Sequence, residues 1–266
     1  MNFLETIINR KKLVVEEAKT VLTLAEIQSL VEDIRPRRNF REAITVDDDD
    51  GSGHVKVIAE IKRASPSRGV IVSDINPAAI ARDYEKGGAA AISVLTETDF
   101  FNGSHKDFQA ARDAVKLPLL RKDFIVDEYQ IYESLLIGAD SILLIAAALP
   151  DFHLGNFISI AKLKSLPALV EVHSKDELAR AIDAGAEIIG VNSRDLATFT
   201  VSRQVAEKLA GMIPNDVIKV YESGVNDPED LSYIMSLGYN AVLIGEHFMR
   251  ARDRVSEVRR FVSYYI

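Results

Sequence analysis

Short apolar runs alternate with helical apolar patterns along most of this chain. The runs are Val57–Ile61, Ala90–Leu95, Pro118–Leu120, Ser141–Ala146, Ala168–Val172, Ile188–Val191, Val217–Val220 and Ala241–Ile244. Nearly all are apolar throughout rather than alternating, as expected of parallel strands covered on both faces. Helices with recognisable starts lie between them. Asn76-Pro77 supplies a cap and a first-turn proline, and Ser104, Asp127, Ser174, Ser202 and Asp227-Pro228 mark later starts. Gly88, Gly138, Gly185 and Gly238 follow the first, third, fifth and seventh of these helices at nearly even intervals. The repeat is therefore a pair of strand–helix units, present four times. Eight such units match a closed (β/α)8 TIM barrel. A doubly wound open sheet is the alternative, but it does not explain the even spacing, and no G-x-G-x-x-G follows the first run.

Ahead of the barrel the period is helical. Phe3, Leu4, Ile7 and Ile8, then Val14, Val15 and Ala18, predict a helix over 3–20. A second is predicted from an N-cap at Thr23 through Leu24, Ile27, Leu30, Val31 and Ile34, stopping before Pro36. The chain thus reads as a single domain over 1–266, with an N-terminal helical extension (1–50) and a barrel (55–266). Asp47–Asp50 and Gly51-Ser52-Gly53 read as a solvated acidic loop without paired ligand spacing. The basic cluster Arg10-Lys11-Lys12 suggests that the extension folds over the barrel mouth as a lid.

Composition narrows the partners. The 266 residues are 47% hydrophobic, enough for a large core, and a net charge of −8 argues against nucleic acid. There is no cysteine, hence no disulfide, thiol nucleophile or thiolate metal site. The five histidines lack ligand spacing, so no metal is expected. The N-terminus lacks the uninterrupted apolar core of a signal peptide, and no stretch is apolar enough to span a membrane. A soluble, cytoplasmic protein is expected, without membrane association.

Reactive residues of such barrels stand at the C-terminal ends of strands. Here those ends carry Glu60 and Lys62, Ser93, Leu95 and Glu97, Lys122, Glu171, Asn192 with Arg194 beyond it, Glu222-Ser223-Gly224 and Gly245-Glu246. Strand ends surface and are polar in any case. Phase argues for more than that, because Glu60 and Lys62 share one strand face, Glu171 shares its face with Leu169, and Asn192 shares its face with Gly190 and Ile188. Charges so clustered shift one another's proton affinities and suit acid–base work. Ser223-Gly224 and Gly245-Glu246 close the last two strands, where free backbone N–H groups and a following helix commonly hold a phosphate. At Glu246 only the backbone N–H suits that role. The alternative is that both glycines merely turn the chain.

The blocks Ala59-Glu60-Ile61-Lys62-Arg63-Ala64-Ser65-Pro66-Ser67, Ser93-Val94-Leu95-Thr96-Glu97, Phe101-Asn102-Gly103-Ser104, Leu120-Arg121-Lys122-Asp123-Phe124-Ile125, Leu169-Val170-Glu171-Val172-His173, Gly190-Val191-Asn192-Ser193-Arg194-Asp195-Leu196 and Glu222-Ser223-Gly224-Val225 closely resemble indole-3-glycerol phosphate synthase, in order, over residues 3 to 250. Departures are local: the acidic loop at 47–50, the stretch Asp151–Ser165 and Tyr221. The resemblance implies a carboxy-lyase of tryptophan biosynthesis that closes a ring on 1-(2-carboxyphenylamino)-1-deoxyribulose 5-phosphate, with loss of carbon dioxide and water and no cofactor. It further implies Lys122 as proton donor to the ribulose carbonyl, and Lys62 as a second donor or as holder of the substrate carboxylate. Glu171 would be the acid–base group of dehydration, Glu60 the holder of both lysines, Asn192 a partner of Glu171 or substrate, and Glu222 a contact to a ribulose hydroxyl. Ser65, Ser223, Gly224, Gly245 and the Glu246 backbone would hold the phosphate. Phe101 and Leu196 would wall the aromatic ring, with Arg194 near its carboxylate.

Three other readings compete. Phosphoribosylanthranilate isomerase chemistry wants a Cys/Asp pair, and this chain has no cysteine. A Schiff-base aldolase could use Lys122. A catalytically silent partner of a tryptophan-pathway enzyme is the third, and the complete acid–base set argues against it. Such an enzyme also stands as a candidate partner of an active protein.

Overall fold

A computed structural model describes residues 3–36, 38–46, 54–194 and 200–264. Eight parallel strands close a barrel: β1 Lys56–Ile61, β2 Ala91–Leu95, β3 Leu119–Lys122, β4 Ser141–Ile145, β5 Ala168–Val172, β6 Ile188–Asn192, β7 Ile218–Glu222 and β8 Ala241–Ile244. β8 pairs back onto β1, with Lys56 opposite Ala241 and Ala59 opposite Ile244. A short antiparallel pair, Ala64–Ser65 with Gly69–Val70, follows β1.

The helices of the extension are α1 Phe3–Val21, α2 Leu24–Leu30 and α3 Phe40–Ala43. The outer ring holds α4 Pro77–Gly87, α5 His105–Ala114, α6 Tyr129–Leu136, α7 Asp151–Leu163, α8 Lys175–Asp183, α9 Arg203–Ala210 and α10 Glu229–Ser236. It closes with α11 Glu246–Arg250 and α12 Arg254–Val262. Asn76, Ser104 and Ser174 cap their helices by side-chain hydrogen bonds. Asp127 and Asp227 each accept a first-turn N–H two residues on, and Ser202 is the N-cap of α9 without a side-chain bond. Gly88, Gly138, Gly185 and Gly238 all adopt the left-handed conformation in which a helix ends at little cost to a residue without Cβ. No helix among the described residues is long and apolar enough to cross a membrane.

Alternation along the strands sorts two cores. Ile58, Ala91, Leu120, Leu143, Leu169 and Ile188 fill the barrel interior, whereas Val57, Ala59, Ile92, Val94 and Val170 pack outward under the helices. Glu60, Lys122, Glu171, Asn192 and Glu222 continue the interior register, so their side chains enter the mouth.

Three strands run further than their apolar runs predict: β3 continues through Arg121-Lys122, β6 through Asn192 and β7 through Tyr221-Glu222. These polar side chains are tolerated because each has partners. Arg121 is fully buried and donates to Thr96, the Gln130 carbonyl, Ser134, Asp123 and Glu133. The predicted second helix, by contrast, ends at Leu30. Its capping box at Thr23 and Glu26 forms as expected, but the chain turns after Val31, which with Ile34 packs on the outer core.

The extension closes both ends of the barrel. At the mouth, Ile7 of α1 joins the interior cluster beside Phe124, and Lys11 pairs with Asp123 at 2.8 Å. At the bottom, α3 inserts the fully buried Phe40 and is followed by buried Ile44. The acidic loop at 47–50 lies outside the described residues.

Candidate active site

Two ion-paired lysines organise the mouth. Lys122 Nζ donates to Glu171 Oε2 at 2.9 Å and to Glu222 Oε2 at 2.8 Å. Lys62 Nζ lies 2.6 Å from Glu60 Oε1. Asn192 Nδ2 donates to Glu171 Oε1 at 3.1 Å, and its Oδ1 accepts from Ser223 Oγ and the Arg194 N–H. Those last two bonds fix the orientation of the amide. All six residues expected to carry acid–base chemistry therefore meet at one end of the barrel.

Space for the carboxylates comes from glycines. A Cβ on Gly190 would overlap Glu222 Oε1, and one on Gly245 would overlap Glu60 Oε1 and stand 2.9 Å from Lys62 Nζ. Gly245 thus serves the Glu60–Lys62 pair directly.

Burial and neighbours drive the titrating groups apart. Burial alone disfavours the Lys122 ammonium, but Glu171, Glu222 and Glu60 outweigh it and raise its proton affinity. Burial would also push the Glu171 carboxyl up, yet Lys122, His173 and Asn192 hold it down at about 2. For Glu222 burial wins over Lys122, helped by repulsion from Glu171, and its carboxyl is pushed up to about 7. Its Oε1 is buried and has no hydrogen-bond partner among the described residues. Carboxylates with opposed shifts around one lysine divide naturally into a base and a protonatable partner.

These groups open into a cavity of about 1080 Å³ with two unlike walls. The apolar wall includes Leu95, Phe101, Phe124 and Ile145, with Phe3 and Ile7 from α1. The Phe101 and Phe124 rings are 6.0 Å apart. Glu97, another strand-end carboxylate, does not reach the lysines of the cluster. It accepts the backbone N–H groups of Asp99, Phe100 and Phe101 and so fixes that loop. The polar wall includes Ser65, Arg68, Arg194, Ser223, Gly224 and Gly245. Ser223 and Gly224 both have positive φ, 71° and 82°.

Arg194, expected near the aromatic carboxylate, stands close enough to Arg68 and Glu246 to feel both charges. Its proton affinity is lowered by burial and then by Arg68. The Glu246 carboxylate pairs with Arg68 at 3.4 Å and Arg250 at 3.1 Å. Leu196 lies outside the described residues. Sequence reasoning missed His173, whose Nε2 is 3.5 Å from Glu171 Oε1, as well as Gly190, Arg68 and the α1 residues of the apolar wall. His173 was legible in one respect: it follows Glu171 by two positions, the strand period.

A family model described as indole-3-glycerol phosphate synthase matches residues 4–261. A protein of that name from Alkaliphilus metalliredigens is 46% identical over 257 residues, covering 97% of this chain and 96% of the relative. One from Acetivibrio thermocellus is 50% identical over 210 residues, covering 79% and 81%. Among solved structures, thiamine phosphate pyrophosphorylase from Pyrococcus furiosus aligns with a TM-score of 0.58 at 17% identity, over 79% of this chain and 96% of that one. At that identity only the barrel is shared. With a family match running from α1 through every strand end to α12, the chain belongs to the indole-3-glycerol phosphate synthase family.

Proposed function

We propose that this mouth carries out the reaction of its family, with Lys122 as proton donor and Glu171 as base. The reaction converts 1-(2-carboxyphenylamino)-1-deoxyribulose 5-phosphate into indole-3-glycerol phosphate, carbon dioxide and water. The carrying observation is the Lys122 ammonium held between Glu171 and Glu222 at the floor of the cavity. The ring carbon bearing the carboxylate attacks the ribulose carbonyl, and Lys122 protonates the oxygen as the C–C bond forms. The carboxylate leaves as carbon dioxide and its bonding electrons return to the aromatic ring. The new hydroxyl then leaves as water, taking one proton, while Glu171 takes a proton from the five-membered ring.

The remaining residues bind and orient. Lys62, paired with Glu60, is the second ammonium and serves the departing hydroxyl or the substrate carboxylate. Glu222, whose Oε1 has no partner among the described residues, takes a ribulose hydroxyl. Asn192 steadies Glu171. The aromatic ring lies on the wall that carries Phe101. The phosphate lies among Ser65, Ser223 and Gly224 with the backbone at Gly245 and Glu246, near the positive charges of Arg68 and Arg194. Every side chain used belongs to this one chain.

The Schiff-base reading fares worse on the same observation. Two carboxylates keep Lys122 an ammonium, and a protonated amine is no nucleophile. The test is direct: the purified protein with the anthranilate–ribulose substrate produces indole fluorescence and one carbon dioxide per turnover. Absence of product, or a borohydride-trapped adduct at Lys122 with a keto substrate, overturns the reading.

A further inference from the structure

Glu171 is held from three directions. Lys122 donates to Oε2, Asn192 donates to Oε1, and the His173 ring stands behind Oε1 with Nε2 at 3.5 Å. The other side of that ring faces Glu177, at the N-terminal turn of α8. Glu177 Oε2 accepts the His173 backbone N–H at 2.8 Å and lies 3.4 Å from Nδ1, and its Oε1 accepts from Ser174 Oγ. His173 Nε2 is buried and has no hydrogen-bond partner among the described residues. An imidazole with carboxylates at both nitrogens is best served by N–H on both, since a bare ring nitrogen facing Glu171 would be repulsive.

We propose that His173 is a positioning residue for Glu171, closing to a hydrogen bond on Oε1 and keeping that carboxylate ionised while Lys122 hands its proton to the substrate. Until that moment Lys122 neutralises Glu171. Once the lysine is a neutral amine, Asn192 supplies a dipole but no charge, and the imidazolium is the cation left in contact with Glu171. Glu177 holds the ring in place and balances its charge. The groups facing this ring are Glu171 on β5, Glu177 and Ser174 at the start of α8, and, at longer range, Glu222 on β7. Burial disfavours the charged ring, but Glu177 and Glu171 outweigh it and raise its proton affinity, in keeping with the geometry. No atom of His173 lines the cavity.

The inference rests on Glu171 being the base, and the experiment separates the two. Steady-state kinetics on the full chain compare His173→Leu, His173→Gln, Glu177→Gln and Glu171→Gln, each with its unfolding midpoint. His173→Leu lowers kcat by roughly tenfold to a hundredfold, the range for one hydrogen bond to a charged group, with KM within about twofold. His173→Gln, whose amide nitrogen reaches the place of Nε2 but brings no charge, recovers only part of that loss. Glu177→Gln, which frees the ring, gives a smaller fall in kcat. Full activity in His173→Leu, or equal losses in the Leu and Gln variants, overturns the inference. If His173→Leu does not fold, the Gln and Glu177→Gln variants decide, and wild-type kcat in Glu177→Gln overturns it. Should Glu171→Gln itself turn over normally, the assignment of the base fails instead.

Discussion

Lys122 sits between two carboxylates that its surroundings drive in opposite directions, and the consequences are measurable at single residues. Glu171, held at about 2, stabilises the fold above its ordinary range near 4.5, and that contribution is lost as pH falls from about 4.5 towards 2. Glu222 has the opposite sign. With a folded value of about 7 against 4.5, the folded state binds a proton that the unfolded chain has released, so stability falls as pH rises between those values. The fall amounts to about 3 kcal/mol at most. Glu222→Gln removes that slope, which urea unfolding from pH 4 to pH 8 measures; an unchanged slope contradicts the assignment. Glu60, Lys62, Glu171 and Asn192 were legible as strand-end polar groups in phase with apolar neighbours. Which carboxylates Lys122 would touch was not legible, because Glu171 comes from two strands away and Glu222 from the opposite side of the closed barrel. The fit of Gly190 against Glu222 was hidden because it depends on the register between neighbouring β6 and β7, which no local pattern encodes.

At the scale of elements, polar strand ends and the short third helix were the hard parts to read. β3 and β7 outlast their apolar runs because Arg121, Lys122 and Glu222 find partners on other elements, which no local pattern encodes. α3 is one turn long, and what it contributes is Phe40, a plug for the barrel bottom. Phe40→Ala costs about 3–5 kcal/mol of stability, the usual range for a buried aromatic. Its KM stays unchanged, since the plug is at the end opposite the mouth; a large change in KM with little loss of stability refutes that division. α1 acts at the mouth. It lends Phe3, Leu4 and Ile7 to the cavity and is fastened by the buried Lys11–Asp123 pair and by Arg10–Asp99. Removing residues 1–22 is expected to raise KM more than it lowers kcat, whereas an unchanged KM shows that α1 is no part of the binding wall.

For the whole molecule, closure of the barrel converts a repeating pattern into one site. Eight strand ends, far apart in sequence, deliver an apolar wall on the β2–β4 side, a polar wall on the β6–β8 side and the acid–base cluster between them. This asymmetry suits a substrate with an aromatic ring at one end and a phosphate at the other. Attraction of the phosphate to Arg68 and Arg194 makes KM rise with ionic strength while kcat barely moves, as charge partly open to solvent is screened by salt. A salt-independent KM argues against those arginines as phosphate partners. The central claim is that the Lys122 ammonium donates the proton that drives ring closure. Its most direct test is kcat for Lys122→Ala, measured by indole fluorescence on protein verified as folded. The account predicts a fall of roughly 10²- to 10⁴-fold; turnover equal to that of the unsubstituted chain contradicts it.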